Sequence, residues 1–474
     1  VALKVFLPGD GMKFWPCVIL FSLFASASVY GPPVARASLM QAASPSGSSA
    51  NAQVAPPPSS SAAGGTTAGA VPQNEKKVTA YTLPSAQYKK AVDLGRFHFR
   101  YNLIGFFYGL FVLWIILRFR LAPKYRDWAD KTSRNSFVQA LIFAPLFLLT
   151  MAVLGLPTDI WAYVVEKQYG LVIQGWGSWF WDWTKGELLG VLLGIVLIWI
   201  LYAVIRSSPR RWWFYFWLTS LPIAVLLVFI QPVLVDPMFH KFESLQQKDP
   251  ALTASLEQMV QRAGQDIPPE RMYWMGAGEK TTELNAYVTG LGASKRIVVW
   301  DNTIAKMTTP QIVFVAGHEM GHYVLNHIWK GLAFAAVFLF VLFYLAFRTI
   351  GWVLERWGAG WGIRNVADLA SLPALLLLLT VFSFIAGPIS SAFSRHDEHQ
   401  ADQYGLEVTH GLTPDSSQVA AQAFQVLGEV DLSNPEPNPI DVLMFYSHPA
   451  IPDRIRFALT YDPWSTGDQP EFVK

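Results

Sequence analysis

The sequence predicts a mainly α protein, a polytopic α-helical membrane protein with a small β-hairpin in a segment outside the lipid. Three observations predict it. Of 474 residues, 52% are hydrophobic and only 15% are Asp, Glu, Lys or Arg, against roughly 25% charged residues in an ordinary soluble domain. Six later segments are apolar over about the ~20 residues that cross a bilayer core as helix. Tryptophan and tyrosine gather at their ends, as at Trp212, Trp213 and Tyr215, where amphipathic rings sit at headgroup level. The formal net charge of +2 comes without a long basic run, so no nucleic acid is expected as a partner. Cys17 is the single cysteine, which excludes an intramolecular disulfide framework and a thiolate cluster. Any metal must sit on histidines and carboxylates.

The chain opens on a leader and a spacer. From Met12 it shows Lys13, an apolar run over 14–24, and small-residue sites at Ala25-Ser26-Ala27 and Ala35-Arg36-Ala37. That is the grammar of a signal peptide, with an uncleaved N-terminal anchor as the other reading of 1–37; residues 1–11, ahead of Met12, are set aside. Residues 38–80, almost only Ala, Ser, Gly, Pro, Thr and Gln as far as Pro72, bury too little apolar surface to offset their ordering entropy. A disordered linker is expected there. An N-terminal membrane domain follows over 81–234, with four spans near 101–117, 137–157, 188–205 and 212–234. A domain carrying the candidate chemistry occupies 235–327, two further spans lie near 328–350 and 366–392, and 393–474 completes the domain. Each span is helical because backbone polar groups in lipid must be satisfied within the segment.

Orientation follows from lysine and arginine in short loops. Arg118, Arg120, Lys124, Arg126, Lys131 and Arg134 lie between the first two spans, and Arg206, Arg210 and Arg211 between the third and fourth. Both loops should be cytoplasmic, as should the loop with Arg348, Arg356 and Arg364. Residues 158–187 hold only Lys167 and Lys185 and should be external. Alternation then places 235–327 and the C-terminal region outside, on the periplasmic face of a bacterial inner membrane. Lys89, Lys90, Arg96 and Arg100, ahead of the first span, count against this orientation.

The chemistry-bearing stretch reads QIVFVAGHEMGHYVLN over 311–326 and sets His318, Glu319 and His322 in H-E-x-x-H spacing. On a helix, residues four apart share one face, so both imidazoles reach one Zn2+. Glu319, one position on, is then placed as the general base toward water. The bland reading, two hydrogen-bonded histidines on an amphipathic helix, is weakened by the span that follows. A third histidine in the metzincin manner is absent, because Leu325 and Ile328 occupy the Gly and His positions. The third donor must come from elsewhere. After the last span the chain reads SRHDEHQAD over 394–402, offering His396, Asp397, Glu398, His399 and Asp402. Spacing alone leaves Glu398 open against its neighbours. Asp402 lies one turn past Glu398 on the same face, where a carboxylate that orients a ligand imidazole belongs.

Together AGHEMGHYVLNH at 316–327, SRHDEHQAD at 394–402, LNAYVTGLGASKRIVVWDNTI at 284–304 and SHPAIPDRI at 447–455 resemble the integral-membrane zinc endopeptidases of the CAAX prenyl protease family, a gluzincin class. The resemblance covers most of the chain from about Tyr81 onward. It implies a zinc-metalloprotease domain with one Zn2+ per chain held by His318, His322 and Glu398. It implies Glu319 and His448 as catalytic residues, Asp402 behind the ligands, and Asn285 and Arg454 as substrate-binding residues. It also implies polypeptide substrates and a helical enclosure that admits extended or unfolded chains.

These residues have physical readings as well. Residues 284–289 and 296–301 are rich in strand formers around Gly290, Gly292 and Ala293, which reads as a hairpin. Its edge can add an extended peptide as a further strand. Asn285 could fix a substrate carbonyl, or be an ordinary turn amide. His448, before Pro449, could donate to an oxyanion, or simply lie at the surface, and Arg454 could pair with a nearby carboxylate. His98, His240, His327 and His410 are read as structural. The rival functions are a transporter, disfavoured because the middles of the spans are nearly charge-free, and a membrane chaperone or scaffold with an incidental metal site. Oligomeric state and physiological substrate leave no mark on the sequence.

Overall fold

Along the chain the apolar runs become helices longer than the runs themselves. The computed structural model describes residues 77–290 and 294–473; the expected leader and nearly all of the expected linker lie outside the described residues. Among the described residues, five helices are long and apolar enough to cross a membrane. They include α1 (Ser85–Arg118), α3 (Ser136–Tyr169) and α4 (Trp176–Ser207), with α2 (Leu121–Thr132) between the first two. The other two are built on α8 (His327–Val353) and α9 (Leu372–Thr409). At 38 residues, α9 is about 57 Å long, against a hydrocarbon core of about 30 Å. The excess carries the helix out of lipid and into a layer of shorter helices and strands.

Near 212–234, where the fourth span is expected, the chain forms the apolar helix α5 (Trp212–Ile230), which passes into a π-turn at Gln231–Val235; in the fold only the linker's end departs from expectation. The chain is already turning there toward Asp236, whose carboxylate is buried. The last residues of the expected linker, 77–80, lie against α10 (Ser416–Val430). Gln418 clasps Val78 there, accepting from its N–H and donating to its C=O, both at 3.0 Å.

Among the described residues, two large apolar cores form beside three smaller clusters. One joins the membrane helices through residues such as Phe143, Phe147, Ile198, Leu201, Phe343 and Leu375. Outward-facing Phe107, Leu192, Val337 and Ile385 remain exposed, as expected of side chains whose solvent is lipid. The second core joins Leu256 and Met259 of α6 (Pro250–Arg262) and Phe314 and Met320 of α7 (Thr309–Val324) with Tyr404, Phe424 and Ile455. Chain from both sides of the last two membrane helices thus shares one interior.

A four-stranded sheet roofs this second core. Its strands are β1 (Lys241–Ser244), β2 (Met272–Gly276), β3 (Ala286–Thr289) and β4 (Arg296–Trp300), in the order β1-β2-β4-β3. β1 and β2 are antiparallel, β2 and β4 parallel, and β3 and β4 form the expected antiparallel hairpin. β3 is the outer strand on the side of β4, as β1 is on the side of β2, and packs on α7. The loop after α3 is stitched to the segment after β2 by the bridge Val172↔Thr281. Lys280 approaches Asp182 of α4 at 3.4 Å, and burial pushes the Lys280 amine down to about 8. These contacts fix the sheet and its core to the ends of the membrane helices.

Candidate metal centre

α7 begins where the backbone N–H of Thr308 donates to the Gln311 side chain at 3.0 Å, with Pro310 in the first turn, where its missing N–H costs nothing. Further along, His318 and His322 share one buried face, as residues one turn apart must. α9 crosses α7 at very short range because glycines line the contact. A Cβ at Gly405 would lie 3.1 Å from the His318 backbone nitrogen, and one at Gly321 would lie 2.9 Å from the Tyr404 Cβ. This approach brings the outer part of α9, with Glu398, over the two imidazoles.

His318 Nε2 and His322 Nε2 are 3.3 Å apart. Glu398 places Oε2 3.4 Å from the first and Oε1 3.4 Å from the second. A tetrahedral ion with ligand arms of about 2.0–2.1 Å has ligand–ligand edges of about 3.3–3.4 Å. The donor set therefore fits a small divalent ion in both chemistry and spacing, and His318, His322 and Glu398 form the metal-capable group among the described residues. Of the candidates in 394–402, Glu398 is the one that reaches both rings. His396 and His399 are exposed, His399 against Phe457, and Asp397 is turned toward His327, 3.9 Å away.

Asp402 Oδ1 lies 2.8 Å from His318 Nδ1, a neighbour that favours the hydrogen on Nδ1 and leaves the Nε2 of a neutral ring with its lone pair toward the centre. Arg454, on α11 (Ile451–Thr460), was expected at the substrate and is found elsewhere. It is buried, forks onto Asp402 with bonds of 2.5 and 2.9 Å, and lies over the Phe424 ring. A guanidinium turned inward on a carboxylate holds that carboxylate rather than an incoming chain. Glu319 is fully buried, its Oε1 3.8 Å from His318 Nε2. His448 enters from a loop, with Nε2 3.1 Å from Glu398 Oε2 and Nδ1 2.9 Å from Ser447 Oγ. Asn285 is half-buried just before β3, with its backbone N–H and C=O both bonded to Thr303 Oγ1 at 2.8 Å.

One side chain that the sequence left without a role joins the group. His327 places Nδ1 3.0 Å from His322 Nδ1. Five residues is not a helical-face spacing, so no periodicity pointed to it.

Two imidazoles and a carboxylate at ion-binding distance, beside a buried glutamate and above a bundle of membrane-length helices, define a membrane-embedded metallopeptidase. The chain belongs to peptidase family M48. The profile of that family matches residues 246–462, and a profile described as the CAAX prenyl protease N-terminal region, five membrane helices, matches 68–241. An uncharacterized metalloprotease of Bacillus subtilis is 34% identical over 358 residues, 74% of this chain and 82% of its own. CAAX prenyl protease 1 of Saccharomyces cerevisiae is 25% identical over 79% of this chain and 86% of its own. The crystal structure of S. mikatae Ste24p shares the fold, with a TM-score of 0.69 at 23% identity over 80% of this chain and 90% of that one. Membership of the family implies a bound metal.

Proposed function

We propose that the chain is a zinc endopeptidase holding one zinc ion on His318, His322 and Glu398, and that it cleaves extended or unfolded polypeptides. The observation that carries this reading is the mutual spacing of the three donors. The ion, when bound, supplies Lewis acidity, polarising a carbonyl oxygen and acidifying water. Glu319, buried one residue from the first ligand, takes a proton from the attacking water and delivers it to the leaving amine. His448, tied to Ser447 through Nδ1, carries its other nitrogen into the site, where an N–H stabilises the oxyanion that develops on the scissile carbonyl. Asp402 and Arg454 orient His318. Asn285, at the head of the outer strand, meets the backbone of a substrate laid along β3.

Loop charge supports a catalytic face on the periplasmic side of a bacterial inner membrane. Arg120 donates to Gly360 O, Arg206 to Ala367 O, and Arg364 pairs with Asp127 and Asp130. The basic loops therefore meet at one end of the bundle. Along α9, that end is about 39 Å from Glu398. A catalytic face away from the cytosol favours processing or quality control of membrane and envelope proteins over a specific requirement for prenylated CAAX ends.

Metal analysis of the purified protein, with casein cleavage measured before and after chelation, tests the reading. One zinc per chain and chelator-sensitive cleavage are expected. Glu319→Ala should keep its zinc and lose cleavage by a factor of ~10²–10⁴. Absence of stoichiometric zinc, or cleavage at the wild-type rate by the Ala variant in protein free of other proteases, ends it.

A further inference from the structure

His327 lies outside the H-E-x-x-H pattern and outside the steps above. On a continuous helix it would stand about 140° around from His322. The chain instead breaks at Asn326, whose φ of +60° is left-handed, a region that Asn enters more readily than most residues. That turn folds His327 back over His322, with ring centroids 5.1 Å apart and the planes at 73°. His327 is 3% exposed. Its two nitrogens both have partners, His322 Nδ1 at 3.0 Å and Gln400 Oε1 at 3.1 Å.

Two imidazole nitrogens at hydrogen-bonding distance must share one hydrogen, so one is donor and the other acceptor. The Gln400 carbonyl decides which. It can only accept, so His327 carries its hydrogen on Nε2 and presents Nδ1 as a lone pair. His322 must then donate from Nδ1, which leaves its own Nε2 bare. We propose that His327, held by Gln400, is a positioning residue that fixes the tautomer and ring orientation of His322 so that Nε2 faces the metal. With the relay reversed, the hydrogen of His322 would sit on Nε2 and the donor would be lost. The two ligand histidines are thus held by different means. His318 leans on the ion-paired carboxylate of Asp402, and His322 leans on an imidazole held by the Gln400 amide at 3.1 Å, with the Asp397 carboxylate farther off, 3.9 Å from the same Nε2.

This inference rests on the zinc reading, and its test keeps the two apart by measuring zinc affinity rather than turnover. Full-length protein in detergent is titrated with a competing zinc chelator. His327→Phe fills the volume of the ring and offers no acceptor; zinc binding about 10–100-fold weaker is expected. His327→Asn places an amide oxygen close to where Nδ1 stood and should restore most of the affinity. Gln400→Glu, which keeps an acceptor, should bind zinc like wild type, and Gln400→Leu should weaken it. The Gln400 pair decides the matter if the Phe variant does not fold. Wild-type affinity in His327→Phe or Gln400→Leu, or equal weakening in Phe and Asn variants, overturns the role of His327 while zinc in the wild type stands. A wild-type protein without stoichiometric zinc removes the zinc reading itself.

Discussion

Asp402 has two partners at once, His318 Nδ1 at 2.8 Å and the fork of Arg454. All three are buried, so removing the cation strands a carboxylate away from water. Arg454→Met should therefore destabilise the protein by about 3–5 kcal/mol, read as a lower unfolding temperature in detergent, and weaken zinc binding in the same variant. A purely substrate-binding arginine would raise KM and leave unfolding unchanged. Asp236 gives a pH-dependent counterpart. Burial pushes its carboxyl up from 3.8 to about 7, opposed by the charge of Arg296. Between those values the folded chain keeps a proton that the unfolded chain has released. Stability from this group is thus full below pH ~4 and falls as pH rises toward 7, with a slope of at most about 1.4 kcal/mol per pH unit. Asp236→Asn should flatten that slope in chemical unfolding and be more stable than wild type at pH 8, with the gap closing toward pH 4. A wild-type slope retained by the Asn variant would assign the dependence elsewhere.

Two helices make the centre, and their separation is set by what they lack. Gly317, Gly321 and Gly405 leave no Cβ in the α7–α9 contact, and a methyl at Gly405 meets backbone atoms of His318 rather than a movable side chain. Gly405→Ala should push α9 outward by a few tenths of an ångström and cost about 1–3 kcal/mol. Glu398 moves with α9, so the change should also weaken zinc binding, as a chelator titration would show; unchanged affinity would mean that Glu398 reaches the rings independently of this contact. At this scale the sequence was legible where order is local. The helical period placed His318 and His322 together, and the strand-rich stretches around Gly290 marked the β3–β4 hairpin. It was not legible where helices cross. Choosing Glu398 over Asp397 or His399 requires the rotation of α9 about its own axis, which no local pattern contains. Nor does any local pattern send the Arg454 guanidinium inward.

The whole molecule is a bundle whose helices outrun the bilayer and whose basic loops gather at the end remote from the metal centre. Positive loops are retained on the cytoplasmic side, so a thiol probe can read the orientation. In a Cys17→Ser background, Gln247→Cys lies on the exposed surface of the catalytic layer and Arg210→Cys on an exposed loop at the basic end. A membrane-impermeant thiol reagent applied to intact spheroplasts should label the first and reach the second only after permeabilisation. The reverse pattern would place the catalytic face in the cytoplasm.

From the sequence alone came the membrane class, the placing of most helices, the H-E-x-x-H pair and the short set of histidines and carboxylates over 394–402 to which Glu398 belongs. Each is a matter of composition or of spacing along one element, and the physics of lipid burial and helical period acts at that range. Tertiary structure alone decided that Glu398 meets both imidazoles, that Arg454 serves Asp402, and that a left-handed turn at Asn326 lays His327 against His322. Those contacts depend on how closely α9 approaches α7 and on one reversal of chain direction, and both are set by packing between segments far apart in sequence.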